Sequence, residues 1–202
     1  LSKQRINFSR SINTYISSSY ERIVAGGYFI LNYEPLDLRV DRVRFKFFDY
    51  FIHSTLPTIP FIRDIYLYLY GGKNRVLSRA ELWGRLHYAG FEVHKEIKIG
   101  SDHIIFSQKL YEPSDEKSPS YYPIISLDRV GFNGEIIKIH KIRTMYPYSE
   151  FIQKKVFEMS ALSSIGKFEQ DFRITNIGKI LRKYWFDELP QIIDWFRGNI
   201  KI

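Results

Sequence analysis

The chain has 202 residues, with 30 Lys and Arg against 22 Asp and Glu, and its net charge of +8 favours anionic partners such as phosphate, acidic lipid or nucleic acid without choosing among them. A hydrophobic content of 45% supplies a packed core and excludes disorder for most of the length. There is no cysteine, which excludes disulfides and thiolate metal sites, and the five histidines, at 53, 87, 94, 103 and 140, lack ligand spacing.

In chain order, residues 1 to 40 read as a polar, Ser-rich helical stretch followed by Gly26-Gly27-Tyr28-Phe29-Ile30-Leu31, a short apolar run expected to form a buried strand. Residues 43 to 70 are strongly aromatic and broken at Leu56-Pro57-Thr58-Ile59-Pro60, which predicts two short helices meeting at a proline elbow. Ser78-Arg79-Ala80-Glu81 has the spacing of a capping box and opens a helix with Leu82, Trp83 and Leu86 inward, closed by Gly90. Phe91, Val93, Ile97 and Ile99 alternate along a strand, Gly100-Ser101-Asp102 turns it, and His103 to Leu110 returns as its partner. Residues 111 to 123 carry three prolines and three serines and read as a linker.

Beyond the linker, Ile124-Ile125 begins a strand, Gly131-Phe132-Asn133-Gly134 turns, and Glu135 to Arg143 alternates strictly, with Ile137, Ile139, Lys141 and Arg143 sharing one face. A helix is expected from about Ser149 to Met159, then a loop around Gly166. Thr175 or Asn176 is placed to cap a helix through Lys183, and Asp187 to cap another through Phe196, with Leu189, Ile192, Ile193 and Phe196 at helical spacing and Gly198 as the stop. No run of about 20 uncharged apolar residues occurs, so a straight membrane span is not expected. The chain starts at Leu1 and ends at Ile202 without terminal punctuation, so it reads as a fragment truncated at both ends.

The chemistry concentrates in Arg182-Lys183-Tyr184-Trp185-Phe186-Asp187-Glu188-Leu189-Pro190-Gln191. A helix cap would hold Asp187 ionised and fixed, which also suits a carboxylate nucleophile, while Glu188 beside it suits a hard divalent cation; cap and nucleophile are not exclusive. Lys179, Arg182 and Lys183 lie on one helix face just before the acids, with Arg173 one turn before that helix and Lys141 and Arg143 on one side of a strand. Such cations match a diphosphate, or equally a solvated basic face.

Three ordered motifs carry a resemblance. Gly131 to Met145 (GFNGEIIKIHKIRTM), Asp171 to Lys179 (DFRITNIGK) and Leu181 to Gln191 (LRKYWFDELPQ) resemble the bacterial sugar transferase family, the monotopic phosphoglycosyl transferases, over about residues 122 to 202. The resemblance implies a small α+β catalytic domain at 124–202. It also implies transfer of a sugar 1-phosphate from a UDP-sugar to a polyprenyl phosphate, opening surface polysaccharide or glycan assembly at the cytoplasmic face of the bacterial inner membrane. In that scheme Asp187 and Glu188 are catalytic: Asp187 forms a covalent phosphosugar adduct, and Glu188 helps hold Mg²⁺. Arg182, Arg173, Arg143, Lys141 and Lys179 face substrate phosphates. The family motif continues into a Gly-x-Arg-Pro segment that would follow Ile202, so the fragment is expected to be inactive alone. No nucleic acid partner is expected, since no recognition motif is present.

Residues 26 to 110 more weakly resemble the C-terminal half of a Rossmann-like methyltransferase, without the Gly-rich cofactor loop of such enzymes. The expected fold class is therefore mixed α/β: a methyltransferase-type fragment over 1–110, the linker 111–123, and the transferase domain. The aromatic helices of 43–70 read either as core helices or as an interfacial membrane anchor, with Arg42, Arg44, Lys46, Lys73 and Arg75 available to anionic lipid. A cut-down methyltransferase and a noncatalytic basic module binding acidic lipid or nucleic acid are the alternative functions.

Overall fold

The computed structural model describes residues 4–40, 52–53, 59, 61–71, 75–116, 119, 121–159, 171–198 and 200. They are mixed α/β and fall into two compact units, one within Leu1–Pro119 and Pro147–Glu169, the other within Ser120–Tyr146 and Gln170–Ile202. The segment from Pro147 thus groups with the N-terminal residues rather than with the strands just before it.

In the first unit, helix α1 (Ile12–Arg22) leads to strand β1 (Tyr28–Tyr33), the short helix α2 (Leu36–Val40) and, further on, α3 (Ile62–Tyr70), α4 (Arg79–Tyr88), β2 (Phe91–Ile99) and β3 (Asp102–Lys109). The sheet is antiparallel in the order β1-β3-β2. Its buried face presents Leu31, Tyr33, Phe91, Val93 and Ile105, and the core is completed by Ile12 and Ile16 of α1 and Leu82, Trp83 and Leu86 of α4. Each such side chain contributes about 1.5–3 kcal/mol through loss of apolar surface to water. The capping box forms its first half: Ser78 Oγ accepts from the Glu81 amide at 3.0 Å. The Glu81 carboxylate turns instead to Arg85, 2.8 Å away, on the same face one turn later.

The alternation read along β2 breaks in the structure. A register shift between Val93 and Lys95 places His94 as the extra residue of a bulge, so the parity of the pleat reverses. Glu96 then takes the inward position, and Ile99 is left exposed. The buried Glu96 carboxylate is satisfied by Arg79 Nε (2.8 Å), Trp83 Nε1 (2.9 Å), Tyr33 OH (2.7 Å) and the His103 ring (2.5 Å). Four donors make a charge at this depth tolerable. Burial, followed by the negative charge of Glu96, holds the Tyr33 phenol well above its ordinary pKa.

The aromatic stretch is seen in part. Apart from residues 52–53, the first expected helix lies outside the described residues, as do the prolines of the elbow, while the second helix is α3. There Tyr66 is buried and bonded to the ring of His53 at 3.1 Å, whereas Ile65, Tyr68 and Leu69 are exposed. The helix expected at 149–159 begins as a 3-10 turn over Ser149–Ile152 and continues as α5 (Gln153–Met159).

The second unit holds strands β4 (Ile124–Val130) and β5 (Ile136–Ile142), paired antiparallel with Ile125 opposite Lys141 and Val130 opposite Ile136. Asn133 and Gly134 turn the hairpin through left-handed backbone. Helix α6 (Asn176–Lys183), a 3-10 turn at Phe186–Glu188 and helix α7 (Gln191–Phe196) follow.

Candidate active site

Thr144 organises the chain that leaves β5. Its carbonyl accepts from the Thr175 amide at 2.9 Å, Met145 bridges to Ile174, and the Tyr146 amide donates to the Arg173 carbonyl at 2.9 Å. Residues 171–175 are thereby pinned beside the end of β5. Thr175 then caps α6, its hydroxyl accepting from the Gly178 amide at 2.8 Å, as its sequence position suggests. Gly178 lets the helix approach: a Cβ there would lie 2.1 Å from the Thr144 carbonyl oxygen.

Helix α6 ends at Lys183, and Trp185 follows in the left-handed region with φ of 62°. For a bulky aromatic residue that conformation costs on the order of 1 kcal/mol. It reverses the chain sharply and puts Asp187 and Glu188 on a tight turn that contacts β5.

Asp187 differs here from the sequence reading. It makes no cap: the turn is preceded by Trp185 and α7 by Pro190, and neither helix start has a side-chain cap bond. Glu188, Leu189 and Pro190 separate Asp187 from the start of α7, so its carboxylate is out of capping register. It is half-buried, and among the described residues nothing bonds to it. Its neighbour Glu188 is held by Lys141 of β5, Nζ to Oε1 2.5 Å, with both side chains partly accessible.

The other cations divide. Arg182, on the last turn of α6, donates from Nε to Thr144 Oγ1 at 2.9 Å and otherwise stands exposed. Lys179 is exposed one turn earlier, and Arg143 donates from Nε to the Tyr122 carbonyl at 3.0 Å. Arg173, expected to face a substrate phosphate, is 2% exposed and forked onto Asp171 through Nε at 2.8 Å and a terminal nitrogen at 2.6 Å. A guanidinium already bidentate with a buried carboxylate serves the packing of the 171–175 segment. Burial raises the Asp171 pKa, but the hydrogen bonds from the Arg173 side chain and amide, with the charges of Arg173 and Arg182, carry it below the ordinary value.

Sequence reasoning missed a second anchor. Asp194 of α7 is fully buried and accepts from the His140 amide and from its Nδ1, each at 2.7 Å. Burial raises this carboxylate too, and the His140 hydrogen bonds, together with the charges of His140 and Arg197, leave it below its ordinary value. The pair rotates α7 so that Asp194 faces β5. The stripe at helical spacing, Leu189, Ile192, Ile193 and Phe196, is consequently exposed, as are Tyr184, Trp185 and Phe186 beside Asp187. The signal was an aspartate interrupting an apolar helix, opposite a histidine interrupting an apolar strand.

Among the described residues no group of three or more metal-ligating side chains forms. The donor set nevertheless fits Mg²⁺, which binds through one or two carboxylates and takes its remaining ligands from phosphates and water. Glu188 already has a cation against one oxygen.

Residues 116–202 match the family model described as bacterial sugar transferase. Among individual proteins, the chain is 39% identical to the galactosyl transferase CpsE of Streptococcus agalactiae over 80 residues, covering 39% of this chain and 18% of that protein. It is 28% identical over 98 residues to the undecaprenyl-phosphate galactose phosphotransferase of Salmonella typhimurium, covering 46% and 20%. Similarity to an uncharacterized sugar transferase of Haemophilus influenzae extends over 189 residues at 27% identity, 86% of this chain and 40% of the other. The chain thus spans less than half the length of these relatives. No solved structure matches.

Proposed function

Residues 116–202 belong to the bacterial sugar transferase family, and from that premise we propose that the chain transfers a sugar 1-phosphate from a UDP-sugar to a polyprenyl phosphate. Relatives named for galactose phosphotransfer to undecaprenyl phosphate and for exopolysaccharide production support this class of substrate and a role in surface polysaccharide or capsule synthesis. The observation that carries the reading is the turn at Asp187. It presents a carboxylate with no partner among the described residues, next to Glu188 paired with Lys141 and following the exposed Arg182.

In the proposed reaction a carboxylate oxygen of Asp187 forms a bond to the sugar-bearing phosphorus of the donor. The bond from that phosphorus to the bridging oxygen breaks, and UMP leaves with the electron pair. An oxygen of polyprenyl phosphate then attacks the same phosphorus and regenerates the free carboxylate. Such transfer depends mainly on alignment and on neutralising oxygen charge. Arg182 and Lys141 supply positive charge, Lys179 extends it along α6, and Arg143 can join only by leaving Tyr122. Arg173 acts from the interior by fixing the segment that starts α6. Glu188, with Asp187 beside it, would hold Mg²⁺, which when bound neutralises charge on the diphosphate oxygens. The exposed Tyr184, Trp185 and Phe186 offer an apolar surface for a lipid-linked acceptor.

We place this activity at the cytoplasmic face of the bacterial inner membrane. No helix among the described residues is long and apolar enough to cross a membrane, and the exposed face of α3 supports surface attachment. For the N-terminal unit a methyltransferase-type remnant stays a proposal, resting on its order of strand, capped helix and closing hairpin. The test is UMP release by the full-length protein from a UDP-sugar with Mg²⁺ and polyprenyl phosphate. Asp187→Asn is expected to lower it by at least about 10³-fold. Full turnover by that variant would remove Asp187 as nucleophile.

A further inference from the structure

The Lys141–Glu188 pair joins two residues with different duties in the reaction just proposed. An ammonium 2.5 Å from Oε1 sits against the same carboxylate that a divalent cation would use. The two cations repel each other, and a carboxylate oxygen cannot serve both at full strength. The pair is also not a casual surface contact. Lys141 is fixed by β5, its position opposite Ile125 is set by the hairpin register, and Glu188 is fixed by the left-handed turn at Trp185. Side-chain exposures of 25% and 34% leave water and ions a route to both groups. Lys138, three residues earlier, makes the contrasting case: it meets Asp128 at 2.7 Å, but both partners are about two-thirds exposed and lie within the hairpin.

We propose that Lys141 is a placeholder cation, which holds Glu188 in place before metal arrives and is displaced from it by Mg²⁺. This rests on the transferase reading and on Glu188 as the metal ligand. Whatever holds the pair together is subtracted from the metal affinity, since binding must first break it. Displacement leaves the ammonium beside the same turn, available to the phosphate oxygens of an incoming donor. The single carboxylate thus serves two cations in succession.

The experiment is calorimetric titration of Mg²⁺ into the full-length protein without substrate, comparing wild type with Lys141→Met, Lys141→Arg and Lys138→Met. Lys141→Met is expected to bind Mg²⁺ several-fold to about tenfold more tightly, because a partly screened pair is released. Lys138→Met removes the same charge without freeing Glu188 and is expected to stay within about twofold of wild type. Lys141→Arg keeps a competing cation and is expected within about threefold. Circular dichroism checks that each variant is folded, and Lys141→Arg keeps the comparison available should the methionine variant fail: in that case tighter binding by the arginine variant, by more than tenfold, counts against the proposal. Equal or weaker binding by Lys141→Met, an equal gain in Lys138→Met, or no Mg²⁺ binding by any folded protein overturns it. Failure of the transferase reading would show separately, as absent UMP release while the order of metal affinities holds.

Discussion

Asp194 and Asp171 show how much a single buried carboxylate can determine. Each is nearly free of solvent, and each is tolerated because donors surround it: the His140 amide and ring for one, the Arg173 fork for the other. Both carboxyls have pKa values below the ordinary aspartate value in the folded protein. A depressed pKa binds fewer protons folded than unfolded, so the stabilisation is present above the unfolded value of about 3.9 and disappears as pH falls through the folded values. Acid unfolding followed by circular dichroism is therefore expected to set in below about pH 4. Asp194→Asn should be less stable at pH 7 and show a flatter loss of stability below pH 4. An unchanged slope in that variant would mean that this carboxylate does not titrate with folding.

Among the elements of the second unit, α6 has little tolerance for change. Its start depends on Thr175 as cap and on Gly178 lying against the Thr144 carbonyl, and its end delivers Arg182 and the turn that carries Asp187. A methyl group 2.1 Å from a backbone oxygen cannot be absorbed by a side-chain rotation, so helix or strand end must move. Gly178→Ala is expected to destabilise the second unit by about 3 kcal/mol, read by scanning calorimetry as a lowered transition. Unaltered melting would show that α6 does not approach β5 as closely as described. The same element-level logic explains α7: helical spacing identified the stripe Leu189, Ile192, Ile193 and Phe196, but the hydrogen bonds of Asp194 decided which way the helix faces.

At the scale of the whole molecule, exposed apolar surfaces occur on α3 and around the Asp187 turn with α7. Large exposed apolar patches mark interaction sites more often than chance. On α3, Ile65, Tyr68 and Leu69 point outward while Tyr66 is buried, and Arg63 lies nearby with a mostly exposed side chain. Flotation of the full-length protein with vesicles containing anionic lipid is expected, weakened by salt. Ile65→Glu together with Leu69→Glu should lower the floating fraction several-fold, and an unchanged fraction would end the attachment role of this helix.

What the sequence by itself determined were features local to a few residues: the Ser78 and Thr175 caps, the β4–β5 hairpin with its turn, the β2–β3 hairpin, and the motifs that place Asp187 and Glu188 in a transferase segment. These follow from hydrogen bonds and backbone preferences that act within about four residues of one another. The tertiary structure alone decided the bulge that turned Glu96 inward, the burial of Arg173 on Asp171, the clasp of His140 on Asp194 and the reach of Lys141 to Glu188. Each depends on a backbone bend or on residues brought together across the fold, and a polar residue's position in a one-dimensional pattern does not reveal which buried partner will satisfy it.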